Sequence, residues 1–177
     1  MANPPSLWIV RFGGLVPIGG RILEVAAGGG RHARWFLDRG HPVTVIDKDV
    51  SGLADLKGDP RVEIVEADIE DGRPWPLAGR TFDGVVVANY LYRPLLPALV
   101  AAVAPDGLFL YETFAAGNEK FGRPSNPDFL LQVGELLQVV MGSLKVIAYQ
   151  HGQVEGPAVK QFIAATTGNA SSVKLTP

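Results

Sequence analysis

Apolar residues in this chain form short runs that alternate with segments of helical periodicity. Short runs rich in apolar residues indicate strands, and the contiguous Val85, Val86 and Val87 are typical of a strand covered on both faces. Five such runs are predicted as strands at residues 21–26, 42–47, 62–67, 82–88 and 107–113. The periodic segments predict helices at residues 31–39, 49–56, 92–104 and 127–141.

The two ends of the chain add further elements to this pattern. A short helix is expected within residues 6–16. Near the other end, two strands at residues 144–150 and 159–166 are close enough in sequence to form an antiparallel pair. Asn126 is a suitable N-cap for the last predicted helix, with Pro127 at its first position.

Alternation of strands and helices predicts a parallel sheet with helices on both faces, since each parallel connection must cross over the sheet. We therefore predict an α/β fold, a Rossmann-like, doubly wound, seven-stranded and mostly parallel sheet with an antiparallel C-terminal strand pair. Residues 1–177 are interpreted as one domain, with 1–20 as an N-terminal segment and 168–177 as a flexible tail. Ligands of such sheets bind outside the carboxyl ends of the strands, so the residues after each strand are the candidate site.

Composition narrows the class of protein. The chain is 47% hydrophobic and 19% charged, as an ordinary globular protein is. Sixteen Lys plus Arg against eighteen Asp plus Glu give a net charge of −2 without a basic block, so nucleic acid is not favoured as a partner. The absence of cysteine removes thiolate chemistry, and three scattered histidines predict no metal site. The longest apolar stretch, residues 95–104, is too short to cross a bilayer, and we expect a cytoplasmic protein of undetermined oligomeric state.

The most informative segment spans residues 22–33, where an apolar strand carrying Glu24 runs into a glycine turn and then into a helix. Glycine allows positive φ angles and close approach of a ligand to the main chain, and a helix start offers unpaired N–H donors. These features together predict a nucleotide-like ligand at this turn.

Over residues 20–167 the chain resembles the class I S-adenosylmethionine-dependent methyltransferases, in particular small members of the tellurite-resistance type. In that family the first strand ends in an acidic residue followed by alternating glycines. Glu24, Ala26, Gly28 and Gly30 occupy those places, with Ala26 replacing the first glycine. The resemblance implies S-adenosylmethionine as cofactor and methyl transfer as activity.

The same resemblance assigns cofactor contacts after the next two strands. Asp47 would accept the ribose hydroxyls, with Lys48 beside it. Asp68 would meet the adenine amino group, and Ile69 would lie against the ring.

After the fourth strand, the family places Asn89 and Tyr90 beside the methionine portion and the reactive methyl group. Glu112 and Tyr92 are candidate general bases, which are needed only where the acceptor loses a proton. The long loop at residues 112–126 is either a substrate lid or an ordered connector whose aromatic residues pack as core. Substrate contacts are expected from Arg93, Phe114, Asn118, Phe121 and Arg123.

Two alternatives stay open at this point. Gly28, Gly30 and Ala33 also satisfy the dinucleotide fingerprint, which would make the chain an NAD(P)-dependent oxidoreductase with parallel pairing at the last sheet edge. Glu24 opposes that reading, because a carboxylate ~6 Å from a pyrophosphate at an effective dielectric of ~20 costs roughly 3 kcal/mol. The second alternative is a non-catalytic S-adenosylmethionine-binding module. We interpret the chain as a methyltransferase with a small-molecule acceptor.

Overall fold

The computed structural model describes residues 3–174, and its central element is a seven-stranded sheet. The strands are β1 (Ile22–Val25), β2 (Val43–Asp47), β3 (Val62–Glu66), β4 (Phe82–Ala88), β5 (Val103–Phe114), β6 (Lys145–Val154) and β7 (Ala158–Thr166). Their order across the sheet is β3-β2-β1-β4-β5-β7-β6. The first five strands pair in parallel, whereas β7 is antiparallel to both β5 and β6. The predicted fold class is confirmed.

Helices and 3₁₀ turns cover the sheet on both faces. The helices are α1 (Leu7–Gly13), α2 (Arg31–Leu37), α3 (Leu96–Ala101) and α4 (Glu135–Val140). The 3₁₀ turns are Ser51–Leu56, Arg93–Leu95, Asn118–Lys120, Pro127–Phe129 and Ala170–Ser172. Helix α1 begins at an N-cap, Ser6, whose side chain accepts a hydrogen bond from the Trp8 N–H.

Three predicted helices are wrong in type or extent. The segment expected as a helix at residues 49–56 is a 3₁₀ turn, and the helix expected at residues 92–104 is an α-helix only from Leu96 to Ala101. Val103 leaves that helix because it pairs with Phe82 of the neighbouring strand. Here tertiary pairing overrides helical periodicity.

The helix expected over residues 127–141 is interrupted in its middle. Asn126 caps a 3₁₀ turn as predicted, but the chain then straightens so that Leu131, fully buried, forms a bridge with Ala115. Gly134 next adopts a φ of 73°, and helix α4 starts after it. The burial of Leu131 and the left-handed backbone angle of Gly134 thus divide the predicted helix in two.

The sheet separates two apolar layers. One layer packs α3 and α4 against the sheet and includes Phe109 and Tyr111. The other packs α1 and α2 against the opposite face and includes Trp8 and Phe36. The Trp8 indole Nε1 donates to the Ile163 carbonyl oxygen at 3.1 Å, which fastens α1 to β7. Helix α1 is therefore held over the end of the sheet where the candidate site lies.

The ends of the chain bear on two expectations. Residues 1–2 and 175–177 lie outside the described residues, so part of the expected flexible tail at 168–177 is not covered. Within that tail, Asn169 caps the 3₁₀ turn Ala170–Ser172, and the flexibility of the tail stays a prediction. Between residues 3 and 174, no helix is long and apolar enough to cross a membrane.

Candidate functional site

The turn after β1 is built from residues with left-handed backbone angles. Ala26, Gly28 and Gly30 have φ angles of 52°, 53° and 66°. This alternation explains why glycine is favoured at these places, and Ala26 adopts its angle at a cost of roughly 1–2 kcal/mol. A Cβ on Gly28 would meet no atom within 4 Å, whereas one on Gly30 would collide with Leu53. Gly28 therefore opens towards a ligand, and Gly30 packs against the protein.

Glu24 lies buried beneath this turn. Its Oε2 accepts a hydrogen bond from the Ala33 N–H at 2.7 Å, and its Oε1 lies 2.9 Å from His32 Nδ1. The Ser6 N–H donates to His32 Nε2 at 3.2 Å, so that nitrogen is the acceptor and Nδ1 carries the proton. Glu24 thus caps α2 and, through His32, holds the N-terminal segment close to the glycine turn.

Asp47 lies at the carboxyl end of β2, directly beside the glycine turn. Its Oδ2 accepts a hydrogen bond from the Gly28 N–H at 2.7 Å, and its Oδ1 accepts one from the Asp49 N–H at 3.0 Å. The carboxylate is thereby fixed at the mouth of the turn, in the position where it can accept hydroxyl groups from a ligand.

A crevice at this sheet edge consists of two compartments that share Ala26. One, of about 290 Å³, is lined by Asp47, Lys48, Asp68, Ile69 and Tyr90. The other, of about 380 Å³, is lined by Glu24, Gly28 and Asn89. Every predicted cofactor residue except Gly30 therefore lines the crevice, so the structure brings nine of these ten residues together.

The chemistry of the crevice fits a nucleoside cofactor. The buried Tyr90 hydroxyl has no hydrogen-bond partner among the described residues. Burial, and next the nearby Glu70 carboxylate, raise the pKa of Tyr90, so the hydroxyl is a neutral donor. An unpaired buried hydroxyl costs about 1–3 kcal/mol, which a polar ligand atom would remove. Asp47 and Asp68 supply acceptors on the same wall.

A wider cleft of about 600 Å³ adjoins the crevice and shares Asn89 and Arg31 with it. Its walls come from α1 and from one face of β5, β6 and β7. Glu112 of β5 and Phe162 of β7 lie opposite each other in the sheet, so their side chains are on the same face, which is the face that α1 covers. Polar and aromatic residues line it: Ser6, Trp8, Arg31, Asn89, Glu112, Lys160 and Phe162.

Lys160 joins the two spaces. Its Nζ donates to Asn89 Oδ1 at 2.6 Å and lies 3.8 Å from Glu112 Oε1. The ammonium also lies 4.8 Å from the centre of the Phe114 ring. Burial lowers the pKa of Lys160, the Glu112 carboxylate opposes this shift and the Arg31 guanidinium adds to it. Glu112, which is 2% exposed, accepts a hydrogen bond from the Ser6 hydroxyl through its other oxygen.

The two candidate bases lie in different places. Glu112 lines the wider cleft, whereas Tyr92 lines a different hollow, with Trp75, that shares Asp68 with the cofactor crevice. The structure therefore does not bring Tyr92 and Glu112 together.

The predicted substrate residues separate in a similar way. Arg93 forms an ion pair with Glu135, its Nε lying 2.8 Å from the carboxylate oxygen. Asn118 is buried and accepts from the Val159 N–H at 3.1 Å while donating to the Pro124 carbonyl at 2.9 Å. Phe121 and Arg123 are exposed, and Phe114 alone approaches the cleft, through Lys160. The loop is thus an anchored connector at Asn118.

Sequence reasoning missed Ser6, Arg31 and Lys160. It considered only residues that follow a strand, whereas Lys160 lies near the start of β7. An antiparallel strand begins at the edge where its parallel neighbours end. The predicted antiparallel pair contained this signal, because one of its two strands had to start at the ligand edge.

The comparisons with known proteins agree with this geometry. A methyltransferase domain family model matches residues 22–107, which contain the glycine turn, Asp47, Asp68 and Asn89. The matched segment is a methyltransferase domain, and together with the strand order, which is that of the Rossmann-like methyltransferase fold, it supports a class I S-adenosylmethionine-dependent methyltransferase. No curated protein matches the chain in sequence.

Solved structures of bacterial methyltransferases share the fold. One is the 1,6-didemethyltoxoflavin-N1-methyltransferase of Burkholderia thailandensis, with 20% identity, a TM-score of 0.64 and coverage of 90% of this chain and 76% of the other. A TehB-like enzyme from Corynebacterium glutamicum has 21% identity, a TM-score of 0.64 and coverage of 91% and 88%. TehB from Haemophilus influenzae has 15% identity, a TM-score of 0.67 and coverage of 89% and 60%.

Proposed function

We propose that this chain transfers the methyl group of S-adenosylmethionine to a small-molecule acceptor bound in the cleft beside Asn89. The observation that carries the proposal is the junction of the two spaces. Asn89 and Arg31 line both the cofactor crevice and the cleft, so a cofactor in the first would face an acceptor in the second.

In this proposal, different crevice residues bind different parts of the cofactor. Asp47 accepts the ribose hydroxyls and Asp68 the adenine amino group, while Ile69 lies against the ring. The Tyr90 hydroxyl, which has no partner among the described residues, donates to a polar atom of the nucleoside. Bound S-adenosylmethionine supplies an electrophilic methyl group, so the protein's task is to position the acceptor and exclude water.

Glu112 acts in this proposal as a positioning residue. Its Oε2 accepts from the Ser6 hydroxyl, its Oε1 lies 3.8 Å from Lys160 Nζ, and only 2% of the residue is exposed, so the carboxylate holds these two groups in place. Tyr92 lies in a different hollow and is given no role in proton transfer. Arg93 and Asn118 are assigned to holding the loop, because their polar groups are bound within the protein.

Three further points support a methyltransferase with a small acceptor. The Burkholderia thailandensis enzyme was crystallised with 1,6-didemethyltoxoflavin and S-adenosylhomocysteine, which are small molecules. A nicotinamide-dependent oxidoreductase was expected to have parallel pairing at the last sheet edge, whereas β7 is antiparallel to its neighbours. A non-catalytic module is disfavoured because the cleft opens onto Asn89. A cytoplasmic location stays a prediction.

Thermal shift and product assays test the proposal together. S-adenosylmethionine and S-adenosylhomocysteine should each raise the melting temperature, since a ligand that binds only the folded state stabilises it. NAD should leave the melting temperature unchanged. A metabolite screen that detects S-adenosylhomocysteine should then identify an acceptor. Stabilisation by NAD alone would overturn the proposal.

A further inference from the structure

We propose that the acceptor is a small organic acid with an apolar body, and that its anionic oxygen receives the methyl group. This inference rests on the proposed function and names the substrate class of the same site. It depends on the charge beside Asn89 and on the apolar residues that line the cleft next to this charge.

Two cations lie where the cleft meets the crevice. Lys160 binds Asn89 directly, and Arg31 lines both spaces. The two charges are near enough that Arg31 contributes to the lowered pKa of Lys160, although burial is the larger cause. Half-buried like charges are stabilised by an anion placed between them. The acceptor group that enters this position is therefore expected to be negative.

Glu112 offsets the charge of only one of these cations: its Oε1 lies 3.8 Å from Lys160 Nζ, whereas the Arg31 guanidinium donates to the Pro4 carbonyl oxygen at 3.2 Å and has no carboxylate partner among the described residues. Glu112 is held by the Ser6 hydroxyl and lies on the floor of the cleft, where 2% of the residue is exposed. Glu155 is exposed on the turn between β6 and β7.

Apolar and aromatic residues line the cleft beside these cations. Leu7, Trp8 and Phe162 line the cleft, and the Trp8 and Phe162 ring centres lie 5.5 Å apart. The Leu7 side chain is 85% exposed, which leaves it available to cover a ligand. A ligand that contacts both the cations and these apolar residues has an apolar body and a negatively charged head.

The reaction balances without a base. A lone pair of the acceptor's anionic oxygen forms a bond to the methyl carbon, and the pair of the carbon–sulfur bond returns to sulfur. An anion and a sulfonium cation become a neutral methyl ester or ether and a neutral thioether. No proton has to be removed, so the reaction does not require the buried Glu112 carboxylate as a base.

A matched set of probes tests the charge requirement. Benzoate and the nitrophenolate ion each have an apolar ring and an anionic oxygen. Benzamide has the same ring but is neutral, and benzylamine is cationic. Calorimetric titration of each probe into the protein saturated with S-adenosylhomocysteine should show binding of the anions at least tenfold tighter than of benzamide, with benzylamine weakest. Equal or tighter binding of benzamide or benzylamine, or no binding of either anion, would overturn the inference.

Lys160→Gln should reduce the affinity for the anions at least tenfold while leaving that for S-adenosylhomocysteine within about twofold. Lys120→Gln, which removes an exposed lysine from the connecting loop, is the matched control and should change neither affinity. This experiment distinguishes a failure of the proposed function from a failure of the acid acceptor. Failure to bind S-adenosylhomocysteine contradicts the proposed function, whereas binding of S-adenosylhomocysteine without an anion preference contradicts the acid acceptor alone.

Discussion

The Lys160 ammonium donates to the Asn89 side-chain oxygen at 2.6 Å, joining the start of β7 to the end of β4. These residues are 71 positions apart in sequence. Their contact exists because β7 runs antiparallel to β5 and therefore starts at the edge where β4 ends. It places a cation at the junction of the cofactor crevice and the acceptor cleft.

The first prediction concerns pH. Burial lowers the pKa of Lys160, so its ammonium loses its proton at a lower pH than an exposed lysine does. Affinity for benzoate should be fully present below this pKa and should fall as the pH rises through it. Calorimetric titrations across the alkaline range should show this fall in the wild type. Lys160→Arg keeps its charge to higher pH, so its affinity for benzoate should stay constant over the same range.

The second prediction concerns Ala26, which has a φ of 52°. Ala26→Gly should raise the free energy of unfolding by about 1 kcal/mol, because a left-handed angle costs an L-residue roughly 1–2 kcal/mol and glycine entropy offsets part of the gain. Chemical denaturation measures the change. Ala27→Gly is the matched control, since Ala27 has no positive φ, and should lower the same free energy by about 1 kcal/mol. Equal effects of the two variants would contradict the strain at Ala26.

The third prediction concerns the buried pair of Glu24 and His32. In Glu24→Gln, one side-chain oxygen is replaced by an NH2 group. If the remaining oxygen still accepts from the Ala33 N–H, this NH2 group must face the proton on His32 Nδ1, and two donors then meet. The other His32 tautomer would turn a proton towards the Ser6 N–H. One polar group is left unpaired in either case, so the free energy of unfolding should fall by about 1–3 kcal/mol. Glu66→Gln, at an exposed carboxylate, should change it by less than about 0.5 kcal/mol.

The fourth prediction separates structure from substrate binding at Asn118. Asn118→Ala removes hydrogen bonds to Val159 and Pro124 and should lower the free energy of unfolding by about 2–3 kcal/mol. Affinity for S-adenosylhomocysteine should not change. Arg123→Ala removes an exposed side chain of the same loop and should alter neither quantity. A stable Asn118→Ala variant that binds benzoate weakly would show that Asn118 contacts the acceptor.

Much of the cofactor crevice could be predicted because its residues follow strands. Asp47, Asp68 and Asn89 each come directly after an apolar run, and parallel strands bring such residues to one edge. The alternation of small residues in the turn reflected real left-handed angles at Ala26, Gly28 and Gly30. In these elements, the local sequence pattern was sufficient to predict where the residues lie in the folded structure.

The acceptor cleft could not be predicted in the same way. Its residues come from the N-terminal segment and from an antiparallel strand, and contacts such as Ser6 to Glu112 depend on how α1 lies over the sheet. Chain pattern carries no information on that packing. Likewise, a bridge between Leu131 and Ala115 divides the predicted long helix, although its periodicity continues.

The central claim is that Asp47, Asp68 and the glycine turn form one site for S-adenosylmethionine or its product. Calorimetric titration with S-adenosylhomocysteine tests this claim most directly. We expect wild-type protein to bind it and Asp47→Ala to bind it at least tenfold more weakly, a loss of about 1.4 kcal/mol. Asp38→Ala, which removes an exposed carboxylate after α2, should bind as the wild type does. Unchanged affinity in Asp47→Ala, or binding of NAD in place of S-adenosylhomocysteine, would contradict the account.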